Sequence, residues 1–496
     1  MSGQLPIRLA LPKVAEEVLS RPDAHIHLVG IGGAGLSAIA TILLERGYRV
    51  SGSDLRDTAT TARLAEAGAR VYIGHEAGQV EGADLVLISS AVPPDNPELQ
   101  AALRRGIPVV KRAQFLGALM RGRTGIAVAG SHGKTTTTAM IATTLLAARL
   151  DPDFIIGGTL PGLERNARAG RGGYFVIEAD EYDRMFLGLR PQIAVVTNVE
   201  WDHVDCYPTP EDLLQAFRAF VDQLPRDGLL VACIDDPVAR ELAAERASAR
   251  RPVTTYGFGW QAAWQARILV ANREGGTDCQ IWHHGQQVTT LRLSIPGRHN
   301  VLNALATFAV ADHLGIHPEI TASNLKNFAG VRRRFELKGM MYDIIVIDDY
   351  AHHPSEVKAT LAAARQRYPE RVIWAVFQPH TYSRTRALLE AFADCFAEAE
   401  HVLVTDIYAA RERDTQGVHA SQLVELAGRK HPDVRYVGGL DDAVKTLLEE
   451  LRPGDVLLTL GAGDGYQIGE RVLAALRKRA RQKPLMPEGA LRRFRS

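Results

Sequence analysis

A turn that joins glycines to a lysine and a hydroxyl, Gly130-Ser131-His132-Gly133-Lys134-Thr135, stands between an apolar run at Thr124 to Ala129 and a helical-period segment opened by Lys134. Backbone N–H groups at such a strand-to-helix turn, together with the helix dipole, favour phosphate. From there Lys134 reaches the β and γ phosphates of a nucleotide and Thr135 holds magnesium through its hydroxyl. The loop therefore predicts magnesium ATP used to drive a bond-forming reaction. The full nucleotide-loop pattern wants a glycine where this chain has Val128, so the match is a shortened one. A carboxylate attacking a γ phosphate meets like charge worth about 4 kcal/mol at about 4 Å and an effective dielectric near 20, more than one lysine offsets. Further cations are expected as metal ions, with candidate ligands at the ends of later strands: Glu178 in Glu178-Ala179-Asp180-Glu181 and His203 in Asp202-His203-Val204-Asp205. Singly, an acid cluster is usually a solvated loop and a histidine usually structural. Their conjunction with the lysine loop carries the prediction.

A second glycine turn lies earlier. Gly30-Ile31-Gly32-Gly33-Ala34-Gly35 satisfies G-x-G-x-x-G, follows an apolar strand, opens a helix and has Asp54 roughly twenty residues on. This is the pattern of a dinucleotide fold, which shows only that a diphosphate can approach the backbone. NAD, FAD and a nucleotide diphosphate sugar all satisfy it. With an ATP loop on the same chain, a nucleotide-linked substrate delivered to ATP is favoured over a hydride carrier.

The elements that must position these turns are short apolar runs alternating with helical-period segments, the pattern of parallel sheets with crossover helices, so the fold class is α/β. The first unit runs from a strand at His25 to Gly30 through a helix at Leu36 to Arg46 and a strand at Tyr48 to Asp54, with strands at Leu85 to Ser89 and Ile107 to Val110. A second start at Thr124 is followed by strands at Tyr174 to Ala179 and Ile193 to Asn198. An antiparallel excursion is expected from Thr254 to Ile295, and a helix from Asn300 to Leu314 closes this part. A third part begins after Arg332-Arg333-Arg334, with strands at Ile344 to Asp348, Val372 to Phe377, Val402 to Thr405 and Val456 to Leu460 and a helix at Pro354 to Tyr368. The expected domains are 1–120 (Rossmann-like), 121–331 (a P-loop ATPase-like sheet) and 332–496 (again Rossmann-like).

Length agrees with this division, since 496 residues exceed one core at roughly 150 residues per domain. With 46% hydrophobic and 23% charged residues the composition is that of a folded globular chain and excludes disordered and fibrous classes. The net charge of +1 conceals a basic tail over residues 471–496, which without aromatic interleaving or an apolar face reads as a solvated terminus and predicts neither nucleic acid nor membrane as a partner. The four cysteines, Cys206, Cys233, Cys279 and Cys395, stand far apart with no CxxC pair, so neither a disulfide framework nor a zinc site is expected. With no signal-like segment and no long apolar run, a cytoplasmic protein without membrane insertion is expected, as a monomer or homodimer.

Taken in order along the chain, these segments resemble the Mur ligase family. The resemblance covers almost the whole sequence. It rests on Gly30 to Gly35 with Ser51-Gly52-Ser53-Asp54, Ser131-His132-Gly133-Lys134-Thr135-Thr136, Glu178-Ala179-Asp180-Glu181, and Asn198 with Asp202-His203. It continues through Pro296-Gly297-Arg298-His299-Asn300, Arg333-Arg334-Phe335-Glu336, Asp348-Asp349-Tyr350-Ala351-His352-His353-Pro354 and Gln378-Pro379-His380. It implies a domain for a UDP-sugar, a central ATPase, and a C-terminal domain that closes over an amino acid. It implies that ATP phosphorylates the lactyl carboxylate of UDP-N-acetylmuramate and that the amine of L-alanine displaces phosphate, in peptidoglycan precursor synthesis.

The same resemblance distributes the roles. Gly130, Ser131, His132, Gly133, Lys134, Thr135 and Thr136 hold ATP, with Asn300 at adenine, Asp349 at the ribose and Arg334, with Arg333, at the γ phosphate. Thr135 and Glu178 take one magnesium and His203 a second, so Lys134, Glu178, His203 and Arg334 are the expected catalytic groups. Gly30, Gly32, Gly33, Gly35, Ser53, Asp54, Ser89 and Ser90 hold the UDP-sugar. Tyr350, His352, His380 and Arg384 place the amino acid, with Arg384 suited to its carboxylate. Thr381 replaces an arginine and Tyr182 a serine that many members carry. Between Lys134 and Lys326 there is no lysine, so the carbamylated lysine implied for ligases adding later amino acids is absent and the alanine-adding type is favoured. The alternatives are a recycling ligase that joins a tripeptide to UDP-N-acetylmuramate, a nicotinamide-dependent oxidoreductase with an incidental lysine loop, and a nucleotide-binding regulator without catalysis.

Overall fold

The computed structural model describes residues 12–413 and 417–482. The basic tail from residue 483 on lies outside the described residues, and its start belongs to the helix Tyr466–Gln482. The chain divides after Arg332 into two compact units.

The first unit contains two sheets. One has five parallel strands in the order Arg70–Ile73, Arg49–Asp54, His25–Val29, Leu85–Ile88, Val109–Lys111. Its inner strands bury both faces, as in Leu85–Ile88, where every residue is buried, and this explains their unbroken apolar runs. The chain leaves His25–Val29 toward one side and later returns on the other, so the carboxyl end of that strand is the switch point where such sheets open a crevice. Gly30 follows directly, with φ +85°, a conformation suited to glycine.

The second sheet has ten strands. Six run parallel, Val253–Gly257, Leu229–Cys233, Ile193–Val196, Thr124–Ala129, Tyr174–Glu178 and Asp153–Leu160, in that spatial order. Arg165–Arg168 closes one edge as a hairpin with Asp153–Leu160. The other edge is extended by Trp264–Ala271, which pairs in parallel with Val253–Gly257, and then by Thr277–His283 and Gln286–Leu293, each antiparallel to the strand before it. The antiparallel excursion is therefore present but starts about ten residues later than expected, because Val253–Gly257 pairs in parallel with Leu229–Cys233. The helix Arg298–His313 does not close this part, since a further helix, Pro318–Lys326, follows it. Its proline at the first turn and His317 at the cap, whose ring accepts the Glu319 amide, are ordinary helix-start chemistry. In the middle of the sheet Thr124–Ala129 lies between Ile193–Val196 and Tyr174–Glu178. The lysine loop, the acidic segment Glu178-Ala179-Asp180-Glu181 and the Asn198 turn thus leave from three neighbouring strand ends.

The second unit is a six-stranded sheet, Glu336–Met341, Ile344–Asp349, Val456–Leu460, Ile373–Phe377, His401–Thr405 and Val434–Gly438, parallel except for the first hairpin. Alternate residues of its strands enter different buried clusters: Ile345, Ile347, Ala375 and Leu458 one, Ile344, Val346, Trp374 and Leu457 the other. The sheet is thus covered on both faces. No helix among the described residues is long and apolar enough to cross a membrane.

Candidate active site

The lysine loop owes its shape to two glycines. Gly130 has φ +139° and a Cβ there would run into Thr197 Oγ1, while Gly133, at φ +80°, would put a Cβ 2.6 Å from Asn303 Oδ1. The loop is laced to the next strand end: Ser131 N–H donates to the Asn198 carbonyl (2.9 Å), His132 N–H to Asn198 Oδ1 (2.8 Å), and Thr197 Oγ1 to the His132 carbonyl (2.6 Å). Lys134 then opens the helix Lys134–Ala147. Its ammonium curls back over the turn, donating to the carbonyls of Gly130 (2.6 Å) and Ser131 (3.1 Å) and to Glu181 Oε1 (2.9 Å).

That lysine is buried, which opposes its charge. The carboxylates of Glu181, Glu178 and Asp180 outweigh the burial and hold its pKa above the ordinary range. Glu181 shows the converse: burial would raise its pKa, but Lys134 and His203 keep it below the usual carboxylate value. His203 Nε2 lies 3.5 Å from Glu181 Oε1, and the His203 backbone, at φ +55°, is held by its N–H on Asp202 Oδ1 (2.7 Å). Tyr182 supports this histidine edge-on at 5.2 Å while its hydroxyl donates to Asp205 Oδ2 (3.0 Å), so the departure from serine acquires a structural use. Glu178 receives the Gly157 N–H on Oε2 at 2.8 Å, and the next residue, Gly158, would bring a Cβ to 3.3 Å from Thr135 Cγ2. Lys134, Thr135, Glu178 and His203 are thereby gathered around one crevice of the first unit. Glu181 Oε2 is buried there without a hydrogen-bond partner.

Asn300 is buried at the start of Arg298–His313, where its amide donates to the Pro296 carbonyl (2.7 Å) and its oxygen accepts from Asn303 Nδ2 (3.2 Å). Asn303 Oδ1 in turn accepts from Thr137 Oγ1 (3.1 Å) in the loop helix. Asn303 and Glu181 were not among the expected site residues. The only sequence signal for Glu181 is its place in the acidic segment Glu178-Ala179-Asp180-Glu181.

At the first glycine turn the N–H groups of Gly30 and Ile31 donate to the Ser53 carbonyl (2.8 and 2.9 Å), and Gly32 N–H to Asp54 Oδ2 (2.9 Å). Gly33 is the N-cap of the helix Ala34–Glu45. Ser53 is fully buried, and its hydroxyl donates to Glu98 Oε2 at 2.6 Å. Glu98 is also met by His75 Nδ1 (3.0 Å) and His27 Nε2 (3.3 Å). The buried carboxylate is held below its usual pKa, since hydrogen bonds from His27, Ser53 and His75 overcome its desolvation. Ser89 and Ser90 follow the strand Leu85–Ile88, Ser89 half-buried and Ser90 exposed.

In the second unit Arg333, at φ +60°, donates to Asp348 Oδ2 (3.0 Å) and the Gly461 carbonyl (2.8 Å), with Tyr350 and Tyr466 rings 4.9 and 4.7 Å from its guanidinium carbon. Arg334 lies 5.1 Å from the Tyr350 ring and 3.6 Å from Glu356. Asp349 is buried and accepts the amides of Phe335 and Ala351, each at 2.7 Å. Burial pushes its carboxyl up to about 6, against the pull of Arg334. The four amino-acid residues form one chain of contacts: Tyr350 edge-on to His352 (5.4 Å), His352 to His380 (5.9 Å), and Arg384 donating to His380 Nδ1 (3.1 Å). Arg384 is buried, and the hydroxyl of Thr381 caps its short helix by accepting the Arg384 amide. At this position the departure from arginine serves backbone geometry.

Family descriptions match along the chain: Mur ligase family, catalytic domain, over residues 25–124; Mur ligase middle domain over 128–311; and Mur ligase, glutamate ligase domain, over 333–463. The chain is 48% identical over 444 residues to the UDP-N-acetylmuramate–L-alanine ligase of Acidithiobacillus ferrooxidans, covering 88% of this chain and 95% of that one. Among solved structures it is similar to a UDP-N-acetylmuramate–alanine ligase of Thermotoga maritima, with a TM-score of 0.77 and 30% identity over 92% of this chain and 99% of the other. It is also similar to a murein peptide ligase of Psychrobacter arcticus, with a TM-score of 0.67 and 27% identity over 91% and 98%. With three consecutive domain matches and a near full-length relative, the chain belongs to the Mur ligase family.

Proposed function

We propose that the protein is an ATP-dependent acid–amino-acid ligase that joins L-alanine to the lactyl carboxylate of UDP-N-acetylmuramate, in the cytoplasm, as a step of peptidoglycan precursor synthesis. The observation that carries this reading is the first unit's pair of glycine turns, one with a buried, carboxylate-paired lysine, on a chain whose 48%-identical relative bears that activity in its name. We assign residues near 1–120 to the UDP-sugar, 121–331 to ATP and 332–496 to the amino acid.

In this reading a carboxylate oxygen attacks the γ phosphorus, the bond to the ADP oxygen breaks, and an acyl phosphate forms. The alanine nitrogen then attacks the carbonyl carbon, the carbon–oxygen bond to phosphate breaks, and the amine gives up a proton. The free carboxylate has no leaving group; the acyl phosphate has one. Lys134 carries positive charge to the transferring phosphoryl group, and the Ser131 and His132 loop orients the triphosphate. Arg384 grips the alanine carboxylate, while Tyr350, His352 and His380 frame it; Arg333, Arg334 and Asp349 are assigned to the nucleotide.

The hydroxyl of Thr135 and the carboxylate of Glu178 would hold one hard divalent cation such as Mg2+ and the imidazole of His203 a second, and Glu181 Oε2, buried without a hydrogen-bond partner, is a further donor in the same acidic segment as Glu178. When bound, the cation supplies charge neutralisation for the meeting of carboxylate and phosphate. The test is phosphate release with ATP, UDP-N-acetylmuramate and, separately, L-alanine, glycine, serine and tripeptide. Release dependent on L-alanine is expected; preference for tripeptide would reject the reading in favour of a recycling ligase.

A further inference from the structure

We propose that Arg112 is a further substrate-binding residue of this reaction, a guanidinium shared between the first glycine turn and Asp180 for which the diphosphate of the UDP-sugar competes. The inference rests on the function proposed above. Arg112 follows the edge strand Val109–Lys111 and opens the helix Arg112–Leu119, so it stands at the carboxyl edge of the first sheet, where the glycine turn also lies.

Its place is set in part by its contacts with Gly35 and Asp180. A Cβ on Gly35 would fall on Arg112 Nη1 and come within 2.8 Å of its Cζ, so the guanidinium lies directly against Gly35 in the first turn of Ala34–Glu45. In a dinucleotide fold the third glycine of the turn allows close helix–strand packing; here it leaves room for a cation. On its other side Arg112 Nη2 is 3.6 Å from Asp180 Oδ2, with side-chain exposures of 27% and 37%. A cation beside the positive end of a helix gains from an anion placed between them. Asp180 meets that need only in part, because a half-exposed pair at this separation is weak. A diphosphate held by the turn offers two charged oxygens to the planar fork of the same guanidinium. Asp180 and the ligand then act as rivals, and this rivalry gives the two residues opposite signs.

Calorimetric titration of the full chain with UDP, UDP-N-acetylglucosamine and UDP-N-acetylmuramate, and separately with ATP, tests it. Arg112→Ala should weaken all three uridine ligands by about 10- to 100-fold, the usual worth of a charged hydrogen bond, with ATP affinity unchanged. Arg112→Lys should fall between. Asp180→Asn should tighten the uridine ligands by about 2- to 5-fold, the scale of an exposed pair, and that gain should vanish in the Arg112→Ala background. Unchanged UDP affinity in Arg112→Ala overturns the proposal, as does a loss confined to UDP-N-acetylmuramate, which would place the arginine on the lactyl carboxylate. A gain from Asp180→Asn that persists without Arg112 would overturn it too, as a field effect. If Arg112→Ala does not fold, Arg112→Lys and Arg112→Gln give the same reading. A parent protein that binds UDP but never releases phosphate would reject the ligase function while leaving the Arg112 titrations to stand or fall alone.

Discussion

Removing the ammonium of Lys134 should injure folding and chemistry separately, and the two injuries can be taken apart. Lys134 Nζ and Glu181 Oε1 are 2.9 Å apart, with side-chain exposures of 13% and 2%. At an effective dielectric near 20 the attraction is about 6 kcal/mol, offset largely by the desolvation of both groups. Lys134→Met keeps the apolar stem but strands a buried carboxylate, and breaking one partner of such a pair costs about 3–5 kcal/mol. For a unit of this size about 2 °C is lost per kcal/mol, so the melting temperature should fall on the order of 6–10 °C. Lys134→Met with Glu181→Gln removes both charges, and the loss should shrink to about 1–2 kcal/mol. Phosphate release should be lost in both variants by several orders of magnitude, since the loop's own ammonium then no longer meets the transferring phosphoryl group. Differential scanning fluorimetry beside the phosphate assay separates the effects. A single variant that melts with the parent would refute the charge argument; a double variant with near-parental turnover would remove Lys134 from the chemistry.

Glu178→Ala should lower turnover by about 10²-fold or more while leaving UDP binding intact, measured by steady-state kinetics and titration. Gly133→Ala forces a side chain into φ +80° and against Asn303; a loss of about 1–3 kcal/mol in a denaturant melt and weaker ATP binding are expected. Arg384→Ala should raise the alanine requirement with the UDP-sugar requirement little changed, and the reverse pattern in initial rates would remove Arg384 from the amino-acid pocket. Asp349 titrates at about 6 in the folded chain, above its unfolded value. Its contribution to stability is therefore complete below about pH 4 and lost as the pH rises through 6, by up to about 3 kcal/mol. Urea melts should show the parent losing stability between these pH values while Asp349→Asn stays level, and an equal loss in both would clear the carboxyl.

The strands that carry the glycine turns were legible because each is buried on both faces and followed at once by a helical period, as in Thr124–Ala129 with Lys134–Ala147. Elements without that contrast were not. Val434–Gly438 closes a sheet edge with no residue fully buried, and Glu336–Met341 is another part-exposed edge, so neither shows an apolar run or a clean alternation. The hairpin of Asp153–Leu160 and Arg165–Arg168 was hidden similarly, its outer strand being charged at both ends. Val253–Gly257 looked like the beginning of the antiparallel stretch because its first three residues are only half-buried; its parallel pairing is a property of the partner strand.

Within the candidate site the same division holds between residues whose role follows from their own turn and residues whose role follows from sheet order. Gly30, Gly130, Gly133 and Lys134 belong to the first kind. Glu181 stands 47 residues from Lys134, and only the pairing of Thr124–Ala129 with Tyr174–Glu178 brings its carboxylate to the ammonium. Arg112 reaches Gly35 and Asp180 only because two sheets end beside each other. What sequence order conceals is thus the counter-charge. Lys134 against Glu178, Asp180 and Glu181 leaves more carboxylates than ammonium in this crevice before any ligand arrives. A triphosphate and a carboxylate add more of the same sign, so their binding here should be steeply dependent on divalent cation. ATP titrated with a chelator present should bind far more weakly than with Mg2+, and equal affinity in the two conditions would mean that the crevice is not where the nucleotide is held.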